Sequence, residues 1–110
     1  GHQVEAAQRY LDAKERYPMG SELWAGVTAQ AFHALRQEAC DKVTKPEWWN
    51  DEGLNALSAR VVRAAPNAGT AHIMRAMVLS GVVFPRHPSA YSAAELKEAA
   101  AHYDRSAALC

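Results

Sequence analysis

A surplus of either charge is missing from this sequence. Twelve Lys and Arg face twelve Asp and Glu, and the formal net charge is zero. Such a chain has no overall basic field of the kind that draws nucleic acid or an acidic membrane nonspecifically. Cysteine is nearly absent: Cys40 and Cys110 stand far apart with no CxxC pairing, which makes neither a disulfide framework nor a zinc site. That usage, with no secretory h-region at the start and no Asn-x-Ser/Thr sequon, leads us to expect a reduced intracellular, cytoplasmic setting. Long apolar runs are missing too. The longest, 76–84, is interrupted by Ser80 and Gly81 and is too short to span a bilayer. No glycine-rich phosphate loop occurs among the six glycines. Nor does any segment alternate as a strand does: Val82-Val83-Phe84 is the one short β-prone stretch, and Pro85 limits it.

Alanine fills the space these absences leave. It occupies 23 of 110 positions, and the best helix former with the smallest side chain favours helices packed closely on helices. With 49% hydrophobic and 22% charged residues, the chain is apolar enough to fold, and its length suits one domain with a modest core. Five helices are expected. The first runs Gln3 to Tyr17, with Ala6, Ala7, Tyr10, Leu11, Lys14 and Tyr17 on one face, and stops at Pro18. Ser21 N-caps the second, which carries Leu23, Trp24, Val27, Ala31, Leu35 and Ala39 and extends to about Asp41 or Lys42. The third starts at the Thr44-Lys45-Pro46-Glu47 box or at Asn50-Asp51-Glu52 and ends at Pro66. The fourth opens at Asn67 or Thr70 and ends near Gly81. A loop holding Pro85 and Pro88 follows, and Ser92-x-x-Glu95 caps the fifth.

Three of these segments superpose: Glu5 to Pro18, Gly53 to Pro66, and Glu98 to Cys110, with Pro18 and Pro66 48 residues apart. Self-similarity at such a period marks stacked helical units. Ala6, Tyr10, Ala13 and Pro18, then Trp24 six residues on, carry a resemblance to tetratricopeptide repeats. Ala99, Tyr103 and Ser106 repeat that pattern, Leu54, Ser58, Val61 and Pro66 give a degenerate copy, and Thr28 and Ala76 fill the small-residue places of the first helices. The repeats here are longer than the family's ~34 residues. The resemblance implies an all-α stack of antiparallel helical hairpins over 1–110, a segment of a longer array, with Tyr10, Trp24 and Tyr103 buried between helices. It also implies a scaffold that binds a protein or peptide in a groove and serves as a subunit of a larger assembly. The groove places are Glu22, Ala25, Ala29 and Phe32 on the second helix and Thr70, Ile73, Met77 and Ser80 on the fourth. They lack the Lys and Asn of the family's acid-gripping clamp, so an apolar groove is implied.

The residues themselves offer little catalytic chemistry. Five histidines (His2, His33, His72, His87 and His102) form no HxxxH or HExxH pair; His72 and His102 read as ordinary helix-surface or interface residues, and Cys40 as a small hydrophobe. We therefore expect no enzyme, no cofactor, no metal and no nucleic-acid partner. Trp48-Trp49 points its two rings about 100° apart on a helix, so one of them is a candidate anchor for a partner. The solenoid end would expose Leu96, Tyr103, Ala107 and Leu109. The candidate contact residues are Phe32, Ile73, Met77, Trp48 and Leu96. An accessory helical domain of an enzyme, with its active parts elsewhere, is the alternative, and a closed five-helix bundle without repeat geometry is a third.

Overall fold

Local signals decide where the helices begin. In the computed structural model, which describes residues 2–37 and 44–109, α1 covers His2–Lys14, α2 Glu22–Leu35, α3 Asp51–Ala64, α4 Gly69–Leu79 and α5 Ala93–Leu109. Ser21 Oγ accepts the Trp24 amide at 3.1 Å, capping α2. At α5 the capping box closes both ways: Ser92 Oγ accepts from the Glu95 amide at 3.0 Å, and Glu95 Oε1 accepts from the Ser92 amide at 3.3 Å. Of the two starts open to α3, the later one forms, with Asn50 Oδ1 taking the Gly53 amide at 2.7 Å. Thr44 to Glu47 and both tryptophans thus lie in the turn before it. The α4 start falls between the expected caps, at Ala68, with no side-chain cap. α1 ends three residues before Tyr17. α2 ends at Leu35 with Arg36 as its C-cap, short of the expected Asp41 or Lys42; Cys40 and Cys110 lie outside the described residues. Val82 to Phe84 pairs with nothing as a strand.

The main core belongs to the three central helices. Trp24, Ala25, Ala29 and Phe32 from α2 meet Leu54, Val61 and Ala65 from α3 and its end, and Ala71, Met74 and Val78 from α4. Trp49 closes this core at one side, its ring 5.8 Å from Phe32 and 6.3 Å from Phe84, centroid to centroid. A smaller cluster ties α1 on: Ala7 and Leu35 with Leu11, Ala34 and the two tryptophans. α5 contributes to neither. The packing order is α1 on α2, α2 on α3 and α4, α3 on α4, and α4 on α5. The radius of gyration, 13.6 Å, is close to the ~13 Å of a compact domain this size.

Burial corrects two expectations from the repeat register. Trp24 is buried as expected, but Tyr103 is 38% exposed and Tyr10 only partly covered. Ala99 and Ser106 turn inward, and Tyr103, between them on the helix, lies along the rim, where its hydroxyl meets Ser80 Oγ at 3.2 Å. On α1 the fully buried small residue is Ala7, one place after the expected Ala6.

The α4–α5 loop is held by side chains. Arg86 pairs with Glu95 at 3.0 Å and lies 4.5 Å over the Tyr91 ring, and its amide donates to the Tyr91 hydroxyl at 2.8 Å. Gly81, at φ +75°, turns the chain out of α4 where a Cβ would strike that same tyrosine.

Two buried side-chain atoms have no hydrogen-bond partner among the described residues: Arg86 Nε, which has Asp51 Oδ2 at 3.9 Å, and the Thr28 hydroxyl, on a fully buried residue of α2. An unpaired buried hydroxyl is a cost that an isosteric methyl removes. Thr28→Val is expected to stabilise the fold by about 1 kcal/mol, read as a higher denaturant midpoint at unchanged slope. A loss of that size instead would show that the hydroxyl is hydrogen-bonded.

Candidate functional site

Two kinds of place concentrate chemistry in this molecule: a polar network inside the α3–α4–α5 junction, and apolar hollows on the surface around α2 and α3. The network centres on Arg75 of α4, a residue with 9% of its surface exposed. Its Nη1 donates to the Asn55 carbonyl at 2.7 Å, to Asn55 Oδ1 at 2.8 Å and to Ser58 Oγ at 3.0 Å, all on α3. Its Nε donates to Glu98 Oε2 on α5 at 3.1 Å. That oxygen is also 3.1 Å from His102 Nε2. Burial by itself pushes the Glu98 carboxyl up, but the hydrogen bonds from His102 and Arg75 and their charges outweigh it, and the group is held below the usual carboxylate range.

His72 and His102, thirty residues apart in sequence, bring their Nδ1 atoms to 2.9 Å. His72 Nε2 faces the Pro66 carbonyl at 2.7 Å, and His102 Nε2 faces the Glu98 carboxylate. The two rings stand 5.1 Å apart, centroid to centroid, tilted by 31°. Of the two readings open in sequence, helix surface or interface, the ring-to-ring contact between α4 and α5 takes the second. No group of three or more His, Cys, Asp or Glu is placed to hold a metal ion among the described residues, and none of their helices is long and apolar enough to cross a membrane.

On the surface, a hollow of about 410 Å³ lies between α2 and the α3–α4 turn, lined by Glu22, Leu23, Gly26, Val27, Gln30, Ala65, Ala68 and Thr70. Leu23 is 64% exposed. His33 joins the two walls, its Nε2 3.3 Å from the Thr70 carbonyl; burial, more than the neighbouring Arg36 charge, pushes this ring below the ordinary histidine range. Two further hollows, of about 280 and 260 Å³, flank Met19 between the α1–α2 turn and α3.

These hollows redraw the expected contact residues. Phe32 is fully buried in the core and is no contact residue; Ala25 and Ala29 are buried with it. The open face of α2 is Leu23, Gly26, Val27 and Gln30, out of phase with the places the repeat register implies. Those places assume that the aromatic at 32 faces the groove, whereas Trp24 and Phe32 share the inner stripe. Ile73 and Met77 are partly buried, Met77 against the core. Leu96 is half exposed on α5, away from both other sites in sequence and element. Trp48 lines the hollow of about 260 Å³. No family model matches the chain, and no curated protein or solved structure matches it.

Removing Arg75 leaves the Asn55 carbonyl and the Ser58 hydroxyl short of a donor and Glu98 unbalanced. Arg75→Ala is expected to lower stability by about 2–3 kcal/mol in chemical denaturation, most of it from the α3 partners, because the Glu98 side chain is 45% exposed. Glu98→Gln should cost under about 1 kcal/mol. Equal costs would place the energy in the ion pair instead.

Acid should act in two stages. A folded ring that resists protonation, as His33 does, stabilises fully above the unfolded value of about 6.5. That share is lost as pH falls through and below it, because the unfolded ring takes the proton first. Glu95, lowered by its Arg86 hydrogen bond, and Glu98 stabilise above the usual carboxylate range, and their share is lost as pH falls below it. Denaturant midpoints should therefore decline below about pH 6.5 and again in the acid range. His33→Gln should remove only the first decline; a wild-type midpoint flat between neutrality and pH ~5 would contradict the burial effect at His33.

Proposed function

We propose that this chain is a protein-interaction module of the stacked-hairpin, tetratricopeptide-like kind, which holds a partner protein or peptide in the groove between α2 and the start of α4. The observation that carries this reading is the open apolar hollow with Leu23 and Val27 on its wall. An exposed leucine facing a hollow of this size gives a partner helix or extended segment a place to bury an apolar side chain, the kind of centre on which binding energy concentrates. The packing order supports the same reading. α2 touches α4 across the intervening α3, so alternate helices line one side, as in a stack of hairpins. The buried Leu54, Ser58, Val61, Ala99 and Ser106 fall on the repeat's small and packing positions. The cysteine usage supports an intracellular setting, and the partly exposed Leu96 on α5 supports further contacts within a larger assembly.

A photo-crosslinking amino acid placed at Val27 tests the reading in cells that express the protein. The expected outcome is a discrete adduct with another protein that is absent when the same group sits at Glu52, outside the groove. Adding Leu23→Asp should abolish the adduct and, with the partner so identified, weaken its affinity at least tenfold, about 1.4 kcal/mol. Adducts equal at both positions, or indifferent to Leu23→Asp, would refute the groove.

A further inference from the structure

The second pair of hollows shares no lining residue with the α2–α4 groove, and its chemistry differs. Met19 stands between them, 69% exposed, with Trp24 as a common floor and Trp48 on one wall. Every charged side chain that lines them is cationic: Lys14, Arg60 and Arg63. In a chain of zero net charge this is local segregation of charge, produced by two helices, α1 and α3, that meet only in the fold.

The three cations are poorly satisfied. Lys14 Nζ sits 5.9 Å from the centroids of both the Trp24 and the Trp48 rings and among the described residues makes an ion pair only with its exposed neighbour Glu15, at 3.7 Å. The Arg60 guanidinium donates to Met19 Sδ at 3.5 Å, a weak acceptor. Arg63 makes no ion pair among the described residues. Arg60 and Arg63 are one turn apart on the exposed face of α3, so neighbouring carboxylates on one ligand can reach both. We propose that this groove docks an acidic peptide segment that carries an aromatic side chain, the ring seated against Met19 and Trp48 and flanking carboxylates on Arg60, Arg63 and Lys14. Charge complementarity selects the acidic flanks, and the apolar floor selects the ring. A bare anion would leave that floor unfilled, and a nucleic-acid strand needs a longer basic track than three side chains supply. The proposal rests on the reading of the chain as a protein-interaction module and adds a second, chemically distinct site to it.

Fluorescence anisotropy with defined probes tests it. The probe is a fluorescein-labelled peptide Asp-Glu-Trp-Glu-Asp. The controls are the same peptide with Ala for Trp, the peptide Lys-Arg-Trp-Arg-Lys, and a labelled oligothymidylate. The acidic tryptophan peptide is expected to bind the full chain, and to bind more weakly as salt rises. The alanine version should bind at least tenfold more weakly, and the basic peptide and the oligonucleotide should not bind. Arg60→Glu with Arg63→Glu, both exposed and so compatible with folding (checked by circular dichroism), should weaken binding at least tenfold and confer binding of the basic peptide. Trp48→Ala should weaken it too. Leu23→Asp should leave it unchanged. No binding of the acidic tryptophan peptide up to about 1 mM, equal binding of the oligonucleotide, or indifference to the arginine reversals overturns the proposal. Binding that depends on Leu23 but not on the arginines overturns it while sparing the protein-interaction reading; loss of the Val27 adducts strikes that reading alone.

Discussion

The guanidinium of Arg75 governs how the second half of this molecule is put together. It leaves the middle of α4, spans to the carbonyl and side chain of Asn55 and the hydroxyl of Ser58 on α3, and turns its Nε to Glu98 on α5. A planar donor with fixed directions can satisfy all of these only when three helices stand in one mutual arrangement. Apolar contacts such as Leu54 on Met74 would tolerate a slide or a small rotation; this set of hydrogen bonds does not, because any slide would leave a buried donor or acceptor without its mate. The histidine contact from α4 to α5 builds on the same frame, since Glu98 is oriented by Arg75 before it can receive His102.

The central helices use the opposite means. α2 presents Trp24, Ala25, Ala29 and Phe32 as one stripe to Leu54, Val61 and Met74, and the alanines let the backbones close in around the two large rings. This assigns the faces of α2: with four such residues turned in, Leu23, Gly26, Val27 and Gln30 are left outside. The position of the groove is thus a consequence of core packing, and so is the position of the cationic hollow, because Trp24 forms its floor from beneath.

Much of the helical framework was legible in the residues. Ser21, the Ser92-Glu95 box and the stop of α3 just before Pro66 are local signals, and local signals survive folding because they act on backbone groups within one turn; α1 ends earlier, at Lys14, four residues before Pro18. Trp24 was legible for a different reason, as a large aromatic in an apolar stripe. The choice between Thr44 and Asn50 was not legible, since both have capping chemistry; the compact turn that packs the Trp48 backbone against Gly53 accompanies the later start. Tyr103 shows the limit of a repeat register: spacing places it on one stripe with Ala99 and Ser106, but its ring lies along the rim, 38% exposed, with its hydroxyl at Ser80. Arg75 reads in sequence as an ordinary surface charge among Ile73, Met74, Ala76 and Met77, and its partners lie 17 to 23 residues away. Still greater separations hid the His72–His102 contact and the gathering of Lys14 with Arg60 and Arg63, neither of which leaves a trace in local spacing.

The way α5 is attached sets it apart from the other helices. α1 is fixed by an apolar cluster, whereas α5 buries only Ala99 and Ser106. It holds on through a row of polar ties: Ser106 Oγ to the Gly69 carbonyl, Arg105 to Asn67, Tyr103 to Ser80, His102 to His72, Glu98 to Arg75 and Glu95 to Arg86. A helix fastened in this manner packs along α4 but adds little apolar side chain of its own to the core, and few buried apolar contacts are what let an element open before the rest. In slow hydrogen exchange the α5 amides would then form a separate opening unit, loosened by salt, while α2, α3 and α4 exchange together through global unfolding.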